Sequence, residues 1–419
     1  MSLFDPWDAI ERVALDDAPL EHALDRAAPS IRATLDRALA GTRPSVEEAE
    51  ALFGIENEPD LTALVRTADA VRAADVGDDV TYVVNRNLNF TNVCFVNCQF
   101  CAFKRQRWES DAYTHGLERI AEKIVDAIAQ GATEVCMQGG INPDMHPFYY
   151  RDLLVDIKSR FPTLHVHAFS PMEILYGSRR TGLDYEAYIT MLRDCGLGSI
   201  PGTAAEILDD EVRELLSHKK VDVRAWVDII TTAHRLGVPT TSTVMYGHVE
   251  TAGHVARHLD LLRGIQRETG GFTEFVPLGF IWENTNLYRD GLVQPQRKGL
   301  RDLRMYAASR LTLRGLIDNL QTSWVKLGHR LAQLTLRAGC NDFGGTLMEE
   351  SISREAGADA GEYTSVDEID TLVRAMGRTP VERTTLYKRV KANATTAPRD
   401  GADGWRRGSP LPAGSLGAH

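Results

Sequence analysis

Three cysteines stand close together in the segment from residue 92 to residue 103. Cys94, Cys98 and Cys101 have the spacing Cys-x3-Cys-x2-Cys. Thiolates are the natural protein ligands of iron–sulfur clusters, and a cubane cluster contains four irons. Three thiolates would leave one iron without a protein ligand, which is the open position that a catalytic metal site needs. The spacing therefore predicts a 4Fe–4S cluster that can bind a small molecule directly.

Two other kinds of metal site use cysteines in a similar way. A structural zinc site would need a fourth ligand, and the next histidine, His115, stands fourteen residues beyond Cys101. A closed electron-transfer cluster would need a distant fourth thiolate, for which Cys136, Cys195 and Cys340 are the candidates. A disulfide framework is disfavoured, because three of the six cysteines fall within eight residues. The two metal alternatives stay open on the cysteines alone.

The elements that must position the triplet follow from the sequence periodicity. From residue 79, short β-type runs alternate with amphipathic helical segments, which predicts parallel βα units and an α/β fold of the (βα)8 TIM-barrel type. A doubly wound sheet would need a nucleotide-binding fingerprint after its first strand, and none is present. The predicted strands are Val80–Arg86, Glu134–Gln138, His165–Ser170, Gly198–Ile200, Thr240–Tyr246, Thr273–Leu278, Ile317–Thr322 and Cys340–Phe343.

Other regions flank the predicted barrel, which we expect over residues 79–350. Residues 1–78 are predicted to form a helical region, in which Ser45 and Glu48 make a capping box. Residues 351–394 are predicted to form a C-terminal helical extension, with a helix that begins at the capping box of Ser365 and Glu368. The tail over 395–419 is rich in Gly, Pro, Ala and charge, so we expect disorder there.

The composition narrows the possible partners and the location. The formal charge is −11, from 47 basic and 58 acidic residues, which disfavours a nucleic-acid partner. The acidic start of the chain lacks the basic and apolar regions of a signal peptide. No apolar run reaches the length of a membrane span. We therefore expect a cytoplasmic protein without a nucleic-acid or membrane partner.

The cysteine triplet on a predicted βα barrel resembles the signature of the radical S-adenosylmethionine (SAM) superfamily. The resemblance implies that SAM fills the open iron position and is cleaved to a 5′-deoxyadenosyl radical by an electron from the cluster. It places Phe100 against the SAM adenine, and Gly139 and Gly140 at the SAM amino group. It also places Ser170 and Glu173 at the SAM ribose or carboxylate. Taken without the resemblance, the glycines could form a plain turn and the other two residues a helix cap.

Several longer segments sharpen this resemblance to one subfamily. It comprises the tyrosine-dependent part of FO synthase and two menaquinone enzymes, aminofutalosine synthase and cyclic dehypoxanthinyl futalosine synthase. The match extends from about Val80 to Lys388, and PGTAAEIL at 201–208 is more similar to the FO synthase version. The segments are NFTNVCFVNCQFCAF, CMQGGINP, HAFSPMEI, GLGSIPGTAAEILDDEVR, HRLGVPTTSTVMYGHVET, FTEFVPLGFIW, SWVKLG and CNDFGGTLMEESISR.

The subfamily resemblance implies a reaction on tyrosine. The radical would abstract hydrogen from the tyrosine amine, and the Cα–Cβ bond would fragment. The 4-hydroxybenzyl unit would join 5-amino-6-(D-ribitylamino)uracil, leaving 2-iminoacetate. With only one cysteine triplet, the chain would be a separate subunit, and a partner radical SAM subunit would close the deazaflavin ring. Aminofutalosine synthase activity stays the alternative among enzymes. Trp282 stands where a histidine is expected after the sixth strand, which favours a different acceptor if that position contacts the substrate.

The ribityl-uracil offers hydroxyls and ring amides, so polar side chains at strand exits are candidates for its contacts. Three candidates have a structural alternative: His167 as a hydrogen-bonded core residue, Tyr246 as a packed aromatic and Glu206 at a helix start. Asn341 and Asp342 are the predicted catalytic pair, because packing gives no reason for a polar pair before Phe343-Gly344-Gly345. The predicted substrate contacts are Gln138, His167, Thr203, Glu206, Tyr246 and His248.

Overall fold

Five helices precede the first strand of the chain. In this computed structural model, which describes residues 3–390, the capping box at Ser45 is present, with the Ser45 hydroxyl accepting from the Glu48 N–H and the Glu48 carboxylate accepting from the Ser45 N–H. The helices are α1 (Trp7–Ala14), α2 (Leu20–Arg26), α3 (Pro29–Leu39), α4 (Val46–Phe53) and α5 (Glu58–Val76).

The strands that follow form a closed barrel. Every pairing between named strands is parallel within the described range, with β1 between β7 and β8, β3 between β2 and β4, and β5 beside β6. The strands are β1 (Asp79–Val83), β2 (Asn85–Leu88), β3 (Glu134–Met137), β4 (His165–Ala168), β5 (Thr240–Tyr246), β6 (Phe272–Gly279), β7 (Asp342–Gly345) and β8 (Thr379–Arg383).

Short bridges close the gaps between these sheets. Residues 199–200 link β4 to β5, and residues 320–321 link β6 to β7, each through parallel bridges. Each strand position in the ring of the barrel is called a stave here. β1 and β2 are two halves of one stave, which changes its neighbouring strands at Val84; the sequence predicted a single strand there. With that stave counted once, with residues 199–200 and 320–321 as two staves, and without β8, which among the named strands pairs only with β1, the ring has eight members. The predicted (βα)8 barrel is confirmed.

Helices connect and cover the staves. α4 packs on α12, α5 packs on α14, and α1 contacts α14 and α16, so the N-terminal helices lie against the outer helices of the barrel. The helices after β2 are α6 (Leu117–Ala129), α7 (Tyr149–Arg160), α8 (Pro171–Thr181), α9 (Tyr185–Asp194), α10 (Asp210–Ser217), α11 (Val223–Arg235), α12 (Ala252–Thr269), α13 (Asn286–Arg289), α14 (Leu300–Leu313), α15 (Trp324–Leu327), α16 (His329–Thr335), α17 (Ser351–Ala356) and α18 (Val366–Ala375).

The segment predicted as a helical extension over 351–394 is only partly helical. After α17 and α18 it forms β8, which pairs in parallel with β1, so that Thr81 has Val381 on one side and Asp342 on the other. The strand runs Thr-Pro-Val-Glu-Arg, and tertiary pairing rather than a clear alternating pattern makes it a strand. Residues 391–394 and the predicted tail at 395–419 lie outside the described residues.

Successive side chains of each strand point alternately into the barrel and towards the apolar layer between the barrel and its helices. On β3, Val135 and Met137 are fully buried in the apolar core, whereas Glu134, Cys136 and Gln138 line an internal cavity. This period of two is what a β-strand imposes on its side chains. Polar side chains of β3 consequently face the interior of the barrel. None of the helices in the described range combines the length and apolarity that membrane spanning requires.

Candidate active site

The barrel interior contains a cavity of about 420 Å³. Its volume is within the range of small-molecule sites. The structure brings the three cysteines together with most of the predicted cofactor and substrate contacts on the wall of this one cavity. The predicted residues that line it are Cys94, Cys98, Cys101, Phe100, Gly139, Gly140, Ser170, Glu173, Gln138, His167, Thr203 and Glu206.

The cysteine triplet lies in the long loop between β2 and α6. Backbone hydrogen bonds fix this loop at both ends of the triplet: the Phe95 N–H donates to the Ile141 carbonyl at 3.2 Å, and the Gln99 N–H donates to the Leu216 carbonyl at 2.9 Å. The Ser217 hydroxyl donates to Cys98 Sγ at 3.1 Å. The loop is therefore held against the exit of β3 on one side and against α10 on the other.

The donor set of the triplet fits a cluster better than a single ion. Burial raises the pKa of the Cys98 thiol, and the nearby Lys220 ammonium opposes that rise. Among residues 3–390, no three His, Cys, Asp or Glu side chains are arranged to share one metal ion. In a cubane cluster each cysteine binds a different iron, so the thiols need not converge on one point.

The two glycines after β3 are required by close packing. A Cβ on Gly140 would lie 2.2 Å from the Val93 carbonyl oxygen, and one on Gly139 would lie 2.5 Å from the Phe90 ring. Neither glycine is among the residues of positive φ in the described part of the chain, so turn geometry is not the reason for them. The Gly140 N–H donates to the Thr91 carbonyl at 2.8 Å. The glycines let the β3 exit approach the cysteine loop.

Ser170 and Glu173 form the capping box that begins α8. The Glu173 carboxylate accepts from the Ser170 hydroxyl at 2.7 Å and also from the Gly139 N–H at 3.1 Å. Burial raises the pKa of Glu173 to about 7, more than these hydrogen bonds lower it. The helix-cap interpretation is thus correct, and the same carboxyl group connects two strand exits at the cavity wall.

Two of the predicted substrate contacts form a pair, and a third lies deeper in the barrel. The Thr203 hydroxyl donates to Gln138 Oε1 at 2.9 Å. His167 Nδ1 lies 2.6 Å from the Ser199 hydroxyl. Burial lowers the pKa of His167 to about 4, so the imidazole is neutral at neutral pH. These groups offer uncharged donors and acceptors to a ligand.

Glu206 is part of an ionic cluster beside the triplet. Lys220 Nζ lies 2.6 Å from Glu206 Oε1 and 4.8 Å from the centre of the Phe100 ring. Burial raises the pKa of Glu206, but Lys220 and Arg213 outweigh it and the net shift is downward. The carboxylate stays charged and fixes the ammonium group over Phe100, the residue predicted to face the SAM adenine.

Tyr246 and His248 do not line the main cavity, which corrects their prediction as substrate contacts. The Tyr246 hydroxyl donates to Asp302 in α14 at 2.6 Å. Both residues line a separate cavity of about 170 Å³ on the outside of the barrel. Alternation along β5 is the reason, because Met245 lines the main cavity and the next residue must point the other way.

Asn341 and Asp342 also do not line the main cavity, so the structure corrects the prediction that they are catalytic. β7 begins at Asp342 and does not end there, which places the pair at the N-terminal end of the stave. Asn341 Oδ1 accepts from Arg310 at 2.6 Å, and Asp342 accepts from Arg383 Nε at 2.5 Å. Their polarity serves buried hydrogen bonds of the fold. The observed strand, Asp342–Gly345, begins two residues later than the predicted strand, Cys340–Phe343. This difference moves the pair from the C-terminal end of the strand, where catalytic residues are expected, to its N-terminal end.

The sequence interpretation missed several polar residues that line the same cavity. A usable signal was present in Asn85-Arg86-Asn87-Leu88-Asn89, where asparagine recurs at every second position and indicates one polar face of a strand. Lys326 and Glu350 follow the last two staves, and no pattern in the sequence marked them. The missed residues include Asn85, Asn87, Asn89, Glu134, Lys220, Thr243, Lys326, Glu350 and Arg383.

Trp282, the departure from the expected histidine, lies outside the main cavity. Its ring packs edge-on against Tyr288, with 4.4 Å between ring centroids. The preceding residues Phe280 and Ile281 line the cavity instead. The unexpected residue type therefore does not alter the cavity wall.

Comparisons with known proteins show the family of the chain. Residues 88–262 match the radical SAM superfamily, and residues 269–395 match the CofH/MqnC C-terminal region. The chain is 50% identical over 345 residues to the 5-amino-6-(D-ribitylamino)uracil–L-tyrosine 4-hydroxyphenyl transferase of Methanothermobacter thermautotrophicus, covering 82% of this chain and 94% of that protein. The chain belongs to this radical SAM transferase family.

Two further comparisons concern a longer relative and a solved structure of similar fold. The chain is 48% identical over 400 residues to the FO synthase of Streptomyces coelicolor, which is 95% of this chain but only 45% of that protein. The crystal structure of methylornithine synthase is similar in fold, with a TM-score of 0.64 at 19% identity, over 83% of this chain and 97% of that one. Membership in the superfamily implies a 4Fe–4S cluster and SAM, and the residues that bind them are proposed below.

Proposed function

We propose that the chain cleaves the side chain of tyrosine and joins the 4-hydroxybenzyl group to 5-amino-6-(D-ribitylamino)uracil, in the biosynthesis of the deazaflavin coenzyme FO. The observation that carries this proposal is that the cysteine triplet and a polar wall share one cavity, in a chain half identical to a transferase named for this reaction. Polar side chains on this wall suit a ribityl chain and a zwitterionic amino acid.

In this proposal Cys94, Cys98 and Cys101 each bind one iron of the cluster. When bound, the cluster supplies the electron that cleaves SAM to a 5′-deoxyadenosyl radical. The chain itself surrounds the cavity with the barrel wall and holds the cysteine loop by the hydrogen bonds of Phe95 and Gln99. Backbone groups of the two glycines lie beside the triplet, where no side chain could fit.

Other residues of the cavity would position the two organic molecules. Phe100, under the Lys220 ammonium, offers a flat face for the adenine of SAM. Ser170 and Glu173 line the same cavity and would contact the ribose or carboxylate of SAM. Gln138, Thr203 and His167 line the polar interior and can exchange hydrogen bonds with the uracil amides and ribityl hydroxyls.

An anaerobic assay with mass detection tests the proposal. Reconstituted, reduced protein is incubated with SAM, tyrosine and the diaminouracil, and we expect the 4-hydroxybenzyl adduct, 5′-deoxyadenosine and 2-iminoacetate or its hydrolysis product glyoxylate. Omitting tyrosine should abolish glyoxylate. Formation of 5′-deoxyadenosine without any glyoxylate would remove tyrosine as the substrate, and testing the substrates of aminofutalosine synthase would then follow.

A closed-cluster electron carrier would need a fourth cysteine at the triplet. Cys195 and Cys340 do not line the main cavity, whereas Cys136 does. The carrier hypothesis predicts that Cys136 is required for the cluster and that SAM leaves the cluster's EPR spectrum unchanged. We propose instead that the cluster forms without Cys136 and that SAM changes the cluster's EPR spectrum. Association with a ring-closing radical SAM subunit and location in the cytoplasm stay predictions.

A further inference from the structure

Four cationic side chains line the main cavity, and three of them are already bound to acceptors of the protein. Lys220 Nζ is 2.6 Å from a carboxylate oxygen of Glu206. Arg383 forms ion pairs with Asp342 at 2.5 Å and with Glu274 at 3.2 Å. These pairs lie at the N-terminal end of the barrel, opposite the cysteine loop, which we call the closed end. The pairs are Lys104 with Asn97, Lys220 with Glu206, and Arg383 with Asp342 and Glu274.

Lys326 is the fourth of these cations. It lies in α15, directly after the stave at 320–321, and so at the end of the barrel where the cysteine loop is. Within residues 3–390 its ammonium group makes no hydrogen bond and has no carboxylate within 4.0 Å. Burial lowers its pKa, and Glu350 opposes this from beyond ion-pair distance.

An unpaired, partly buried ammonium is costly for a folded protein. Removing a charge from water without a partner is unfavourable by several kcal/mol, so such groups are paired or serve a ligand. The other cations of the cavity follow this rule through protein acceptors. The ammonium group of Lys326 is therefore available to bind an anion that enters the cavity.

Glu350 gives the same wall a negative group. Its carboxylate accepts from the Asn87 amide and, at 2.9 Å, from the Ser353 hydroxyl, and it lines the cavity with Lys326. These bonds fix its position without neutralising its charge. A fixed carboxylate near a free ammonium group complements a zwitterion, which carries the two opposite charges.

We infer that Lys326 binds the α-carboxylate of the amino acid substrate, tyrosine, with Glu350 on the side of its α-ammonium group. This inference rests on the proposed function. The diaminouracil carries no fixed negative charge. The carboxylate of SAM is expected at the open iron of the cluster, which leaves the tyrosine carboxylate as the anion that still needs a cation.

The test compares tyrosine with tyramine, which lacks the α-carboxylate, in cluster-loaded protein that holds SAM but no reductant. Calorimetry on the wild type should show tyramine binding about 10- to 100-fold more weakly than tyrosine, the loss expected for one charge-assisted hydrogen bond. Lys326→Met should weaken tyrosine binding by the same factor and leave tyramine binding unchanged. Lys326→Arg should restore part of the affinity for tyrosine.

Two controls separate the inference from general damage. Lys219→Met, which changes an exposed lysine, should leave tyrosine binding unchanged. The SAM-induced change in the cluster's EPR spectrum should persist in Lys326→Met. In turnover, the variant should raise the KM for tyrosine about 10- to 100-fold, with a smaller change in kcat.

Three results would overturn the inference, and each has its own meaning. Equal binding of tyrosine and tyramine by the wild type excludes a carboxylate subsite, without any variant being needed. Unchanged tyrosine binding in Lys326→Met excludes this lysine. Loss of SAM binding with normal tyrosine binding assigns the lysine to the SAM carboxylate. If the wild type neither binds tyrosine nor forms a tyrosine-dependent product, the proposed function itself fails.

Discussion

The two ends of the barrel use similar residue types in opposite ways. At the closed, N-terminal end, Arg383 is paired with Asp342 and Glu274, and every one of these charges has a protein partner. At the end with the cysteine loop, thiols face the cavity and the Lys326 ammonium has no acceptor in the described part of the chain. The paired charges of the closed end indicate a structural role. The unpaired ammonium group and the thiols at the other end indicate a place where ligands bind.

The end of β8 and the segment that follows it contribute to the closed end. The guanidinium of Arg383, the last residue of β8, lies 3.9 Å from the centre of the Tyr387 ring, and the Tyr387 hydroxyl donates to Glu274. Burial lowers the pKa of Arg383, but Asp342 and its neighbours outweigh it, so the guanidinium stays charged. The segment therefore contacts the buried ion pairs at this end of the barrel.

The largest effect is expected from Cys98→Ala. Without one of three thiolates the cluster should not assemble stably, so we expect loss of its visible absorption and SAM cleavage below detection. Cys195→Ala, at the end of α9 and outside the cavity, is the matched control and should keep both. A cluster that survives in Cys98→Ala but not in Cys136→Ala would reverse our assignment of the ligands.

The next largest effect is expected from Arg383→Met at the closed end. Asp342 and Glu274 would lose their buried partner, and breaking a buried ion pair costs about 3–5 kcal/mol of the free energy of unfolding. Arg389→Ala breaks an exposed pair with Asp79 and should cost no more than about 1 kcal/mol. Denaturant titration measures both.

The same variant tests the comparison between the ends. If the closed end is structural, Arg383→Met protein that remains folded should show a tyrosine KM near that of the wild type. A large rise in KM at unchanged stability would instead give Arg383 a role in substrate binding.

The architecture and the triplet were predictable from sequence because they depend on local patterns. Alternating strand and helix periods predicted the barrel, and the cysteine spacing is a property of one short loop. The catalytic assignment of Asn341 and Asp342 failed because it depended on where β7 begins, and strand boundaries are set by pairing with neighbours. Lys326 was missed for a related reason, since only the folded cavity shows which cations lack a partner.

Gly140→Ala tests how closely the β3 exit must approach the cysteine loop. The added Cβ would overlap the Val93 carbonyl oxygen, and a backbone atom can yield only if the loop carrying Cys94 moves. A displacement of this size can lower the rate about 100-fold, and we expect that loss in 5′-deoxyadenosine formation. Gly264→Ala, in α12 with no atom within 4 Å of the new Cβ, should leave the rate unchanged. Equal rates for the two variants would show that the approach is not needed.

The smallest effect concerns the protonation of Glu173. Burial raises its pKa to about 7 from an ordinary value of 4.5. Between these values the folded protein holds a proton that the unfolded chain has lost, so this carboxyl group lowers the free energy of unfolding as pH rises, by about 1 kcal/mol from about pH 5 to about pH 6. The loss ends above the folded pKa, where both states are ionised. Glu173→Gln should remove this part of the pH dependence.

The control for Glu173→Gln is Glu206→Gln, because the pKa of Glu206 is shifted downward by Lys220 and Arg213, against the effect of burial. A carboxyl group of that kind adds stability above its unfolded pKa and loses it on acidification. From about pH 5 to about pH 6, Glu206→Gln should therefore keep the pH dependence of the wild type, whereas Glu173→Gln should lose part of it. Below about pH 4.5 the order should reverse, because only there does Glu206 bind protons on unfolding. Denaturation of SAM-free protein measures both. Parallel curves for Glu173→Gln and the wild type would mean that this buried carboxyl group is ionised, with its charge satisfied within the fold, and the contrast between the two ends of the barrel would not extend to it.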